Sequence, residues 1–131
     1  MNRIEELLNT PYWIIDILPY QVPKDSPGQY FAIEDYFLKE QIAYIKQKHI
    51  NVILKLNCYR DIMIEDELNP APGKTAEIMN NHYVYIRTRD SMILSEPDDT
   101  HLTLFNPDET LLELMRTLAS REGLYVWQPP Q

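Results

Sequence analysis

Cysteine is almost missing from this 131-residue chain: Cys58 stands alone. One thiol excludes an intrachain disulfide, and a reducing cytoplasm is the expected home. Long apolar runs are missing too. None approaches the ~20 residues that a membrane-spanning helix needs, so no membrane association is expected. The opening Met1-Asn2-Arg3-Ile4-Glu5-Glu6 puts acids where an export signal would have basic and then apolar residues. Glycine is scarce, and Gly28 is isolated in its loop, which rules out a glycine-rich phosphate cradle there.

His49, His82 and His101 are far apart and form no His-x-x-x-His pair, nor is there a Cys-x-x-Cys. Asp61, Glu65, Asp66 and Glu67 lack the alternating ligand spacing and central glycine of a calcium loop. No metal and no cofactor are expected. Positive charge is in deficit, with 12 Lys and Arg against 20 Asp and Glu for a net −8. Residues 1–65 hold 7 basic and 9 acidic side chains (−2), and residues 66–131 hold 5 and 11 (−6). Such a field repels nucleic acid, for which no basic stripe exists either, and attracts basic surfaces.

What is present reads as one domain of alternating strands and helices. Tyr12 to Leu18 is an apolar run of strand length, rich in aromatic and β-branched residues. A proline-stiffened loop leads to Ser26-Pro27-Gly28-Gln29, which has the form of a helix cap with proline at the first position and a reciprocal Gln. The spacing predicts a helix to about Lys48, its apolar face carrying Tyr30, Ile33, Phe37, Ile42, Tyr44 and Ile45. Lys46, Lys48 and His49 would lie in or just after its last turn, where positive charge suits the helix dipole. Val52 to Leu56 then reads as a second strand, and strand–helix–strand implies a right-handed parallel unit.

Ile4, Leu7 and Leu8 predict a short helix stopped by Pro11, and Asp61 to Glu65 alternates like a strand. Asn69 to Gly73 is turn chemistry, with Thr75 to Met79 a short helix after it. Tyr83–Thr88, Met92–Leu94 and Leu102–Phe105, joined by short links, predict an antiparallel meander. Asn106-Pro107-Asp108-Glu109 repeats the capping logic before a helix with Leu111, Leu112, Leu114, Met115 and Leu118 inside, ended by Gly123; Leu124–Trp127 is the last strand. The expected fold is α/β (α+β): a two-layer sandwich with a mixed sheet of about 5–6 strands and two main helices on one face.

Two kinds of site follow. Parallel strands would bring Tyr20, Lys24, Cys58, Tyr59 and Arg60 to one rim beside a helix N-terminus, where Lys24 and Arg60 could hold a carboxylate or phosphate. Cys58 or Asp16 would supply any reactivity there. A lone cysteine after a core strand otherwise reads as a small buried apolar group. Asp16, inside an apolar run, must sit at a strand end, bond a neighbour or belong to a site. The other kind is a surface. Nine tyrosines and two tryptophans are many for this length, and strand alternation puts Tyr83 and Tyr85, then Tyr125 and Trp127, opposite the core-facing Val and Leu positions. Those rings either stabilise the sheet by cross-strand contact or form an interface. The leading expectation is a non-enzymatic protein-interaction protein that binds a basic partner, as an inhibitor of a basic toxin or nuclease would, or that self-associates. The alternative is a small-anion binding protein or enzyme at the rim.

Overall fold

The computed structural model describes residues 2–130. It is an α+β arrangement. Five helices, α1 (Arg3–Leu8), α2 (Tyr30–Glu40), α3 (Ile42–Leu56), α4 (Pro72–Asn81) and α5 (Glu109–Arg121), accompany seven strands. The strands are β1 (Tyr12–Asp16), β2 (Met63–Ile64), β3 (Glu67–Leu68), β4 (Val84–Thr88), β5 (Ser91–Ser95), β6 (Leu102–Phe105) and β7 (Tyr125–Trp127). They form one sheet in the order β3-β2-β4-β5-β6-β1-β7, and every pairing is antiparallel. The meander β4-β5-β6 is present as its short links imply. Both edges are short: β3 has two residues and β7 three.

The expected parallel unit does not exist. Val52 to Leu56 is the last part of α3, and β1 instead pairs antiparallel with β6 and β7. The reason is periodicity. Val52, Ile53 and Leu56 continue the buried series Ile45, His49, Ile50 at helical spacing, and a short apolar run inside a buried helix is indistinguishable by composition from a core strand. His49 and Lys46 therefore belong to the buried face of α3, not to its end.

The long helix expected up to Lys48 is also two helices. Gln41 leaves helical geometry at φ −124°, which separates α2 from α3. Ser26 does not cap α2: its Oγ accepts from Gly28 N at 3.4 Å, and the helix starts at Tyr30 behind Gln29. The cap of α5 sits two residues later than its proline suggested. Asp108 is the N-cap, accepting from Leu111 N at 2.7 Å. Gly123 ends that helix in the left-handed region at φ +73°.

One sheet face carries Ile15, Ile64, Val84, Ile86, Ile93, Leu102 and Leu104 against α3, α4 and α5, and this is the main core. Each such residue fully buried contributes roughly 1.5–3 kcal/mol of apolar transfer. On the other face α1 lays Leu7 on Met92 and Phe105, with Ile4, Tyr85 and Leu94 around them. Three helices on one face and a short one across the other replace the two-helix layer the sequence suggested. No helix among the described residues is long and apolar enough to cross a membrane.

Candidate functional site

The sequence-derived rim residues fall into two groups at opposite ends of the sheet. Tyr20 follows the C-terminal end of β1 and lines a concavity there with Asp16 and His101; Lys24 is exposed in the same connection. Cys58, Tyr59 and Arg60 follow α3 and line a different concavity with Asn57, Asp61 and Arg89. Arg89 follows β4, whose C-terminal end pairs with the start of β5, whereas Asp16 lies one residue beyond Ile15, the partner of Leu102 at the start of β6. Without a parallel pair nothing joins the two groups, so Lys24 and Arg60 cannot hold one anion. Arg60, buried, instead places Nη2 3.5 Å from the Asp108 carboxylate. Cys58 is exposed rather than buried.

The ring-bearing positions alternate as the strand pattern implies. Val84 and Ile86 join the core while Tyr83 and Tyr85 stay outside it, ring centroids 5.3 Å apart and hydroxyls 2.8 Å apart. Tyr125 and Trp127 share the same face, opposite Asp16 and Ile14 respectively. Between these pairs lie β5, β6 and β1, which put Leu94, Thr103 and Ile14 between Tyr85 and Trp127 in one cross-strand row. The rings therefore form two separate patches, not one continuous surface.

The largest convergence of chemistry is at the C-terminal end of β1. Here a pocket of about 200 Å³ is walled by Tyr20, Tyr30, Trp127 and His101, with Asp16 at its border and Ile14, Leu18 and Val22 completing the apolar lining. Asp16 is the last residue of β1, and its Oδ1 accepts from Ile17 N at 2.7 Å. No ion pair reaches it among the described residues. Burial pushes its pKa up, opposed by the amides of Ile17 and Leu18 and by His101. Trp127 Nε1 is buried without a hydrogen-bond partner.

His101 Nδ1 lies 2.8 Å from Asp99 Oδ1. Burial opposes its charge, but the Asp99 carboxylate outweighs burial and raises the imidazole pKa. Asp99 feels the same burial, yet its bonds to His101 and neighbouring groups hold it down at about 2. Behind this pair the buried Lys46 ammonium meets His49 Nδ1 at 2.9 Å and donates to the carbonyls of Glu96 and Asp99. Burial drops Lys46 to about 8, despite the attraction of Asp99, Asp98 and Glu96, and drops His49 to about 3. His49 is thus neutral, with Nδ1 as acceptor.

The Tyr30 hydroxyl donates to Glu34 Oε2 at 2.6 Å. That bond, burial, and the charges of Glu34, Asp16 and Asp99 push the phenol up to about 12. The field around Tyr30 is consequently negative. No group of three or more His, Cys, Asp and Glu side chains among the described residues is placed to hold a metal ion.

Beside the pocket, α2 is unusual. Tyr30, Ile33, Glu34 and Phe37 turn toward Asp16, Leu18 and Thr100, yet none of its eleven residues is buried. Phe31 is 82% exposed and Tyr36 56%. The sequence put Lys46 at a helix end and Tyr30, Ile33 and Phe37 on a core-facing stripe, and it did not bring His101 to Asp16. The visible signal was Asp16, a lone carboxylate in an apolar run. Searches of protein-family models, curated proteins and solved structures return no match to this chain.

Proposed function

We propose that this chain is a binding protein without catalytic activity of its own, and that α2 with the connection before it docks a basic protein. The observation that carries this reading is a complete helix that buries none of its residues while Phe31 stands 82% in water. A large apolar side chain left exposed forgoes roughly 1.5–3 kcal/mol of transfer free energy, and clustered exposed rings mark contact surfaces. Tyr30, Phe31, Ile33 and Tyr36 are all exposed on this one helix.

The rim is acidic on balance. Asp25, Asp35, Glu40 and Asp98 are exposed around these rings or on the adjoining loops, against Lys24 and Lys39, the latter paired with Asp35, and the chain as a whole carries −8. Apolar centre and acidic rim complement a partner with an apolar anchor among basic residues. The expected complex forms quickly at low salt and more slowly as ionic strength rises.

The test is affinity isolation from the protein's own cells with Phe31→Asp and Tyr36→Ser set against Tyr59→Ala. Tyr59 is equally exposed but lies at the far end of the sheet. Both α2 variants should keep native stability to within about 0.5 kcal/mol and lose a basic partner that Tyr59→Ala retains. A partner kept by both α2 variants, or one with an acidic surface, overturns the reading.

A further inference from the structure

We infer that the pocket at the end of β1 is a binding site for an organic cation, an arginine or lysine side chain presented on a peptide. Three features assign the chemistry. Asp16 is a half-buried carboxylate that accepts from the Ile17 amide and feels the Leu18 amide and His101, and no ion pair reaches it among the described residues. A desolvated carboxylate without a counter-charge is stabilised strongly by one that arrives. Around it stand the rings of Tyr20, Tyr30 and Trp127, and aromatic faces attract ammonium and guanidinium groups.

The remaining charges agree in sign. His101 faces the pocket but is paired with Asp99, so together they add no net positive charge. Glu34 holds the Tyr30 hydroxyl, and Lys46 is turned to the carbonyls of Glu96 and Asp99. An anion would meet Asp16 with no cation to offset it, the reverse of what a phosphate or carboxylate site requires.

Size narrows the ligand. At about 200 Å³ the pocket is below the usual 300–1,000 Å³ of drug-sized sites, and it suits one long side chain. Trp127 Nε1 is buried away from solvent without an acceptor, so its indole serves as a reporter of occupancy in the pocket wall. The peptide source rests on the docking reading of α2; the preference for a cation does not.

The experiment is a titration of the isotope-labelled chain with N-acetyl-arginine methylamide, followed through the Trp127 indole N–H resonance, which Trp127→Phe identifies. The uncharged isostere N-acetyl-citrulline methylamide and the amide-free cation agmatine serve as companions. Saturable shifts with the arginine probe are expected, with at least a tenfold loss in Asp16→Asn. That variant keeps an oxygen for the Ile17 amide. Tyr20→Ala, a change at a 70% exposed ring, should weaken binding severalfold without altering the fold. Binding should also fade as pH falls through the Asp16 titration. Agmatine bound more weakly than the arginine probe confirms a peptide source; agmatine bound as tightly keeps the cation site and transfers it to free amines. Equal binding of citrulline, an unchanged affinity in Asp16→Asn, or no saturable shift overturns the inference. Failure of the Phe31→Asp test with these results intact would remove the α2 docking surface and leave the pocket.

Discussion

Lys46 puts a formal charge inside the protein, 2% exposed on the helix α3. Its ammonium is held by His49 Nδ1 and the carbonyls of Glu96 and Asp99, but its pKa still drops to about 8, because burial outweighs the nearby carboxylates. The bonds therefore do not fully replace the lost water. The sign for stability follows from the unfolded value of 10.5. Between pH 8 and 10.5 the unfolded chain holds a proton that the folded chain has released, so stability rises with pH through that window. Lys46→Met, similar in length and without the charge, should lack this rise. Urea unfolding of both proteins at pH 7.5 to 10 is expected to show native stability gaining on the variant by on the order of 1 kcal/mol per pH unit. A constant difference would mean that the amine keeps its ordinary titration in the fold.

At the scale of the element, the β2–β3 hairpin has a local conflict. Its two turn residues, Glu65 and Asp66, both have positive φ, 49° and 67°, the backbone of a type I′ turn that favours Asn-Gly. Replacing Glu65-Asp66 with Asn-Gly should stabilise the protein by roughly 0.5–1 kcal/mol, read as a raised denaturation midpoint. A lower midpoint would show that Glu65 or Asp66 makes a contact worth more than the strain. The same turn explains part of what the sequence concealed. Asp61 to Glu65 alternates like one strand, yet only Met63 and Ile64 pair, because the turn begins at Glu65 without a turn signal. Strands β4, β5 and β6 were legible because two-residue and short polar links bound clear alternation. Helix α5 was legible from its leucine stripe, although its cap is Asp108 and not the Asn106 that the capping pattern implied. The run Val52–Leu56 was not, since its four apolar residues around Lys55 satisfy both the helical and the strand template. Of the pocket, Asp16 alone announced itself, being polar where its neighbours are not. Trp127, Tyr30 and His101 are brought to it by the β1–β7 and β1–β6 pairings and by α2, none of which local spacing encodes.

For the whole molecule, buried His49 and the half-buried pair Asp99 and His101 shape the response to acid. His49 is held to about 3 by burial and by Lys46, against 6.5 unfolded. As pH falls below 6.5 the unfolded imidazole gains a proton that the folded one refuses, so stability is lost down to about pH 3. Asp99, held to about 2 against 3.8, adds a further loss below about pH 4. His101 acts in the other direction. Its raised pKa gives stability that is complete below 6.5 and disappears as pH rises through the folded value. Together His49 and Asp99 give a steep acid side below about pH 6.5, while the gain from Lys46 lies above pH 8. His49→Leu should flatten the segment between pH 6.5 and 4, measured by unfolding free energy at successive pH values; an unchanged slope would assign the acid loss to other groups.

The two ends of the sheet constrain what any companion molecule can do. With two residues in β3, three in β7 and Pro129-Pro130 just after Gln128, neither border offers, among the described residues, a run of free backbone amides and carbonyls long enough to template an added strand. Among the described residues, both borders thereby disfavour recognition by strand addition and edge-to-edge association into fibres.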